Sequence, residues 1–220
     1  MKINLQKEQN LYFTSDLHLN HKNICSGTTC WDIRKERTRN FDSLEDMNQV
    51  ILNNINSKVG LNDVLFLLGD VFFGTPQQGK ELLGEINCQN IHLIVGNHDH
   101  YILMNKENLR ERFASVQDYL YLTVTSSNNE IRGKHRFVLM HYPIVSWNNM
   151  ARGVIHLHGH VHLPPQQKVH EGKSMDVGMD GNNLEVYSLQ EINEIMKDQP
   201  IMINQGNPDL DYHNKISTNG

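Results

Sequence analysis

The chain has 220 residues, 38% of them apolar and 20% charged, with a formal net charge of −5. That length gives one domain, or at most one and a half, with a core large enough to need no disulfide or metal staple. The composition excludes a mostly disordered chain, the lack of any run near ~18 apolar residues excludes a membrane span, and the acidic balance excludes a global surface for wrapping nucleic acid.

The opening stretch MKINLQKEQNLYF carries neither the apolar run nor the small-residue cleavage site of a secretory leader. Five short apolar or β-branched runs follow, each suited to a buried strand and each ending in a polar cluster. Leu11–Thr14 leads into Ser15, Asp16 and His18, and Val64–Leu68 into Gly69 and Asp70. Ile91–Val95 leads into Gly96, Asn97, His98 and Asp99, Phe137–Met140 into His141, and Val154–Leu157 into His158, Gly159, His160 and His162. Between the first two runs, Ser43–Asn56 has Leu44, Met47, Val50, Ile51 and Ile55 at helical spacing, with Ser43 and Asp46 as a capping box in which Asp replaces Glu. Lys80–Ile86 and Lys106–Phe113 are weaker helix predictions, and the region 119–188 is richer in strands. Residues 1–204 are expected to form the domain, and 205–220 a polar, poorly ordered tail. Cys25, Cys30 and Cys88 are odd in number and form no CxxC pair, which predicts reduced thiols and a cytoplasmic location.

Strands alternating with helices predict an α/β fold with covering helices. Ligands of open α/β sheets bind beyond the carboxyl ends of the strands, so five polar clusters at that end predict a single site. Asp16 and His18, like His160 and His162, are two residues apart, and in an extended segment each pair faces one point. Asp70, at the end of a buried run, is costly unless it is paired or bound to a cation. Taken singly, each motif has an ordinary reading: a solvated turn, a helix cap, a satisfied core histidine. Together, two carboxylates, an amide and several imidazoles suit Mn²⁺, Fe or Zn²⁺ better than Ca²⁺. Seven donors exceed one tetrahedral ion and fit two ions roughly 3.5–4 Å apart that share a carboxylate. Such a centre is locally positive on an acidic protein, and attracts an anionic phosphoester.

The order Asp-x-His, Gly-Asp, Gly-Asn-His-Asp, His, Gly-His-x-His resembles that of the calcineurin-like metallophosphoesterases. It stands here as Asp16-Leu17-His18, Gly69-Asp70, Gly96-Asn97-His98-Asp99, His141 and Gly159-His160-Val161-His162. The fuller stretches DLHLNHKNI, HYPI and HLHGHVH are similar to a small bacterial and phage branch. The resemblance implies an α/β/β/α sandwich of two β-sheets flanked by helices. It implies one divalent ion on Asp16, His18, Asp70 and His162, and a second on Asp70, Asn97, His141 and His160, with Asp70 bridging. Mn is the expected metal, with Fe, Zn or Ni as others. It implies a metal-bridging hydroxide as nucleophile and His98 beside the scissile phosphate as the catalytic acid.

One departure stands out. The phosphoprotein phosphatases of this superfamily carry Gly-Asp-x-x-Asp-Arg-Gly, whose second Asp supports the catalytic His, whereas this chain reads Gly69-Asp70-Val71-Phe72-Phe73-Gly74-Thr75. This argues against a serine/threonine protein phosphatase and makes Asp99 a candidate for orienting His98. His21 and His158 are candidates for the shell around the ligands. Arg39, with Arg34 and Arg37, is a candidate for reaching a substrate phosphate, and Trp147 and Asn148 for shaping a pocket; a solvated charge run is the plainer reading of the arginines. Gly74–Glu81 nearly matches a P-loop but has Glu81 where the Mg²⁺-binding hydroxyl belongs, and reads as a loop leading into a helix. The expected activity is hydrolysis of a small, nucleotide-type phosphodiester. The alternatives are a phosphomonoesterase acting on a small metabolite and a catalytically silent scaffold. No membrane and no extended nucleic acid is expected as a partner.

Overall fold

A computed structural model describes residues 1–27, 39–127, 131–164 and 167–202. Cys30, Arg34, Arg37 and the expected 205–220 tail lie outside the described residues. In chain order the strands are β1 (Lys2–Leu5), β2 (Leu11–Thr14), β3 (Val64–Leu67), β4 (Asn90–Ile94), β5 (Ser115–Gln117), β6 (Tyr119–Ser126), β7 (Gly133–Met140), β8 (Ile155–His158), β9 (Ser174–Asp176) and β10 (Tyr187–Ser188). The α-helices are α1 (Lys22–Cys25), α2 (Leu44–Lys58), α3 (Pro76–Gly84), α4 (His100–Leu103) and α5 (Leu189–Met196). One sheet has the order β10-β2-β3-β4-β5 and is parallel except for β10; the other has the order β1-β6-β7-β8-β9 and is parallel except between β6 and β7.

Side-chain alternation along the strands assigns the layers. Leu11, Phe13, Val64 and Phe66 point between the sheets, against Leu120, Leu122, Phe137, Leu139 and Leu157. Phe13 sits at the centre of this layer, 5.6 Å from the Phe66 ring and 5.3 Å from that of Phe137. Truncating such a residue to Ala would cost about 3–5 kcal/mol. The intervening Tyr12, Leu65, Leu67, Ile91 and Leu93 turn the other way, onto Met47, Ile51 and Ile55 of α2 and Leu83 of α3. The outer face of the second sheet is covered by a small cluster of Val138, Trp147 and Val154 beside the 3-10 turn Met150–Arg152. Two mixed sheets flanked by helices are therefore the architecture, as the resemblance implies.

Local departures have local causes. Helix α3 starts at Pro76, four residues before the predicted Lys80, because Thr75 and Gln78 form a reciprocal capping box and Pro76 occupies the first turn. The predicted Lys106–Phe113 helix is instead a 3-10 stretch, Lys106–Arg112, broken by left-handed backbone at Glu107 and Asn108. Strand β1, too polar to register as an apolar run, pairs in parallel with β6. No helix among the described residues is long and apolar enough to cross a membrane.

Candidate metal centre

The carboxyl ends of β2, β3 and β4 in one sheet and of β7 and β8 in the other deliver the five motifs to one edge of the sandwich. The backbone there is not extended. Asp16 (φ 56°), His18 (47°), Asp70 (55°), His160 (72°) and His162 (48°) all adopt left-handed conformations. The two-residue pairs converge through tight turns rather than by strand alternation, which corrects the premise behind their pairing. Each such residue costs about 1–2 kcal/mol, and main-chain hydrogen bonds between motifs hold them in place. The Asp16 amide donates to the Gly69 carbonyl at 3.0 Å, that of His18 to Asp70 at 3.0 Å, and that of Gly159 to His141 at 2.9 Å. A Cβ at Gly96 would overlap the Asp70 carboxylate and amide, and one at Gly159 would overlap the Ser15 and Asp16 side chains. Close approach is why these motif positions are glycine.

Two groups of donors result, Asp16, His18 and His162 in one and Asp70, His141 and His160 in the other, each within 4.8 Å. Both carboxylates are held in the same way. Asp16 Oδ2 accepts from the His160 amide at 2.9 Å, leaving Oδ1 turned toward His18 Nε2 at 3.7 Å and His162 Nε2 at 3.6 Å. Asp70 Oδ1 accepts from the His98 amide at 2.9 Å, leaving Oδ2 facing His18 Nε2 at 3.7 Å and His141 Nε2 at 3.6 Å. Asn97 Oδ1 completes the second group, 3.1 Å from His141 Nε2 and 3.0 Å from His160 Nδ1. Histidine tautomers are set from behind: a carbonyl only accepts, so His141 Nδ1, 2.6 Å from the Leu68 carbonyl, carries the proton and Nε2 presents its lone pair.

The first group also contains two orphans. Among the described residues, Asp16 Oδ1 and His18 Nε2 are buried without a hydrogen-bond partner, and their 3.7 Å separation is too long for a bond between them. Donors about 2.1 Å from a tetrahedral ion lie roughly 3.4 Å apart, close to the separations seen here. The residues therefore fit a divalent cation, whose charge would satisfy both orphans. Burial disfavours the Asp16 charge, yet the facing imidazoles of His18 and His162 hold its carboxyl well below the usual range. Burial pushes His18 and His160 down, so both favour the neutral, ligating form.

Around this core, His98 stands at the mouth with its side chain 44% exposed and its Nε2 3.9 Å from Asp70 Oδ2. Asp99 does not orient it. Both Asp99 oxygens accept main-chain N–H groups, from Gly96 at 2.7 Å and from Asp70 and Val71 at 3.0 Å each, so Asp99 fixes the Asp70 turn. The group against the His98 ring is Phe73, with centroids 4.7 Å apart; Phe73 also stacks on His21 at 3.7 Å and on His18 at 5.2 Å. His21 lies behind His18, the two Nδ1 atoms 3.0 Å apart. Tyr142, partly exposed, packs on the His160 ring at 4.7 Å.

Other sequence candidates lie elsewhere. Arg39 does not face substrate: it is buried, and its guanidinium donates inward to Asp180 and to the carbonyls of Asp16 and Leu17. Trp147 is also buried, donating its indole N–H to the Val154 carbonyl at 2.8 Å in the cover of the second sheet, and its neighbour Asn148 is exposed. His158 is buried beside Gly159 and pushed down to about 4 by burial. Two carboxylates escaped the sequence reading. Asp180 meets His162 Nδ1 at 2.7 Å. Asp176 accepts from the amides of Leu163 at 3.0 Å and Gly178 at 2.7 Å, and is pushed up to about 7 by burial and the nearby Asp16 charge. Neither stands in a motif, and only the tertiary fold brings them to the cluster.

The family model described as calcineurin-like phosphoesterase matches residues 10–195. An uncharacterized protein of Methanocaldococcus jannaschii is 28% identical over 192 residues, spanning 85% of this chain and 91% of that protein. The Gene 66 protein of Mycobacterium phage L5 is 28% identical over 221 residues, spanning 87% and 98%. A crystal structure of a protein of unknown function from Aquifex aeolicus covers 85% of this chain and 99% of its own, with a TM-score of 0.59 and 22% identity, and shares the fold.

Proposed function

The chain belongs to the calcineurin-like phosphoesterase family, whose members are metal-dependent phosphoester hydrolases, and from that premise we propose that it is a dinuclear phosphodiesterase acting on a small, nucleotide-type substrate. The observation that carries the dinuclear reading is Asp70 Oδ2, which lies 3.7 Å from His18 Nε2 in one donor group and 3.6 Å from His141 Nε2 in the other. In this reading Asp16, His18, Asp70 and His162 hold one divalent ion, and Asp70, Asn97, His141 and His160 the other. The mixed nitrogen and oxygen donors favour Mn²⁺, with Fe, Zn²⁺ or Ni²⁺ as further candidates. Bound there, the ions supply Lewis acidity toward the phosphoryl oxygens and an activated nucleophile.

The remaining chemistry falls to the chain itself. His98, exposed at the mouth, gives its proton to the leaving oxygen. Phe73 lies against the His98 ring and Tyr142 against that of His160. Among the described residues Arg39 is turned inward and so adds no cation for a doubly charged monoester, which supports the diester as substrate. A cytoplasmic location belongs to the same proposal, supported by the buried free thiols of Cys25 and Cys88.

The test is hydrolysis of bis-p-nitrophenyl phosphate by metal-stripped protein with and without added Mn²⁺. Mn²⁺-dependent turnover exceeding that of p-nitrophenyl phosphate is the expected result. Preference for the monoester would overturn the diester reading, and inactivity on both with two ions bound would favour a scaffold.

A further inference from the structure

Three segments distant in sequence meet behind His162. Asp180, in the 3-10 turn Met179–Asn182, is 1% exposed, and its Oδ2 accepts from His162 Nδ1 at 2.7 Å. Arg39, also 1% exposed, donates Nε to Asp180 Oδ1 at 2.8 Å and Nη2 to Oδ2 at 3.2 Å. The other side of the guanidinium grips the turn that carries the aspartate ligand: Nη1 donates to the Leu17 carbonyl at 2.8 Å and Nη2 to the Asp16 carbonyl at 2.6 Å. A buried ion pair is weak evidence for stability in itself, because desolvation offsets its attraction. What this pair touches is the informative part.

We propose that Arg39 and Asp180 are positioning residues for the half-site of Asp16, His18 and His162. Asp180 fixes the ring and tautomer of His162, and Arg39 fixes both Asp180 and the left-handed Asp16–His18 turn. The inference rests on the reading above that this half-site takes a divalent ion.

The chemistry runs from the carboxylate outward. An ionised carboxylate only accepts, so the His162 proton sits on Nδ1, and Nε2, 3.6 Å from Asp16 Oδ1, presents its lone pair to the donor group. Without Asp180 the ring loses the hydrogen bond that selects this tautomer. Arg39 engages both oxygens of Asp180 and so fixes the carboxylate that receives the His162 N–H. The same guanidinium binds the carbonyls of two consecutive residues in a turn that side chains bearing a Cβ disfavour. A lysine, with one point of charge, cannot reproduce that fork. The second half-site uses a different device, since His141 is held by the Leu68 main-chain carbonyl. Loss of Asp180 is therefore expected to fall on one ion only.

The experiment titrates metal-stripped full-length protein with Mn²⁺ in competition with a chelator, for the wild type, Asp180→Asn and Arg39→Lys. Wild type is expected to bind two ions. Asp180→Asn is expected to lose about 10–100-fold in affinity for one of them and to keep the other. Arg39→Lys is expected to give the same selective loss more weakly, and is the variant to read should Asp180→Asn fail to fold. In alkaline solution without metal, ¹⁵N-histidine spectra are expected to show His162 as the Nδ1–H tautomer in the wild type and as a mixture in Asp180→Asn. Two ions in the wild type with unchanged or equally weakened sites in both variants, or an unchanged tautomer, overturns the inference alone. No ion in the wild type overturns the metal centre and the inference with it.

Discussion

His156 gives the cover of the second sheet a sharp dependence on pH. The residue is fully buried against Trp147, ring centroids 5.3 Å apart, and its two ring nitrogens are used in opposite senses. Nδ1 lies 3.2 Å from the Val138 carbonyl, to which it donates, and Nε2 accepts from the Ile144 amide at 3.3 Å. A proton on Nε2 would destroy that acceptor and place two donors face to face. Burial is the main reason the group is pushed down to about 3, and the neighbouring His158 and His170 add to it. The unfolded chain takes up a proton below about pH 6.5 while the folded chain refuses it until near pH 3, so the stability due to neutral His156 is full above pH 6.5 and lost as pH falls. The slope approaches about 1.4 kcal/mol per pH unit below pH 6.5 and is half that at pH 6.5 itself, which makes about 2 kcal/mol between pH 6.5 and 4.5. Gln at this position keeps one donor and one acceptor but does not titrate. The assay is urea unfolding of metal-free wild type and His156→Gln across that range, read as the difference between the two so that the other histidines cancel. The variant is expected to gain about 2 kcal/mol on the wild type as pH falls. A difference that stays constant with pH would refute the burial reasoning.

Three further outcomes concern the metal centre. His98→Ala is expected to slow hydrolysis about 10²–10⁴-fold with metal content unchanged in elemental analysis; accompanying metal loss would make His98 a ligand rather than the acid. Asp70→Asn is expected to weaken both ions together in chelator titrations, and loss of a single ion would show that Asp70 does not bridge. Phe73→Leu removes the aromatic face against His98 and is expected to lower kcat about 10–100-fold through misplacement of that ring, with two ions still bound; a normal kcat would show that the ring of Phe73 does not position His98.

The strand ends and their cargo are legible in the sequence because burial and chemistry coincide there: a run such as Val64–Leu67 is apolar on both faces, and its abrupt end at Gly69-Asp70, ordinary when taken alone, gains its reading from the four other motifs that end runs in the same way. The family order of motifs adds the two-sheet layering, which alternation alone does not reveal. What is not legible depends on the third dimension. Arg39 reads as one of several arginines in a charged stretch, and only the arrival of Asp180 from 141 residues away turns it inward. Asp99 has the right chemistry to orient His98, but the nearer amides of Asp70, Val71 and Gly96 claim it. The helix at Pro76 is a different case, because Thr75-Pro76-Gln77-Gln78 is a complete start signal and resemblance to a P-loop obscured it.

The donors divide unevenly between the sheets. Asp16, His18, Asp70 and Asn97 leave β2, β3 and β4, while His141, His160 and His162 leave β7 and β8. An ion seated among Asp16, His18 and His162 would thus stitch the two sheets together across 144 residues of chain between Asp16 and His160, which already share a hydrogen bond. Contacts of that span carry a large loop-closure cost and slow folding. A chain whose second sheet has not docked carries every oxygen donor and lacks three of its four imidazoles, so it offers metal only weak, hard-ligand binding. Tight metal loading would therefore require both sheets to be docked, and a bound ion would stabilise the docked state in proportion to its affinity.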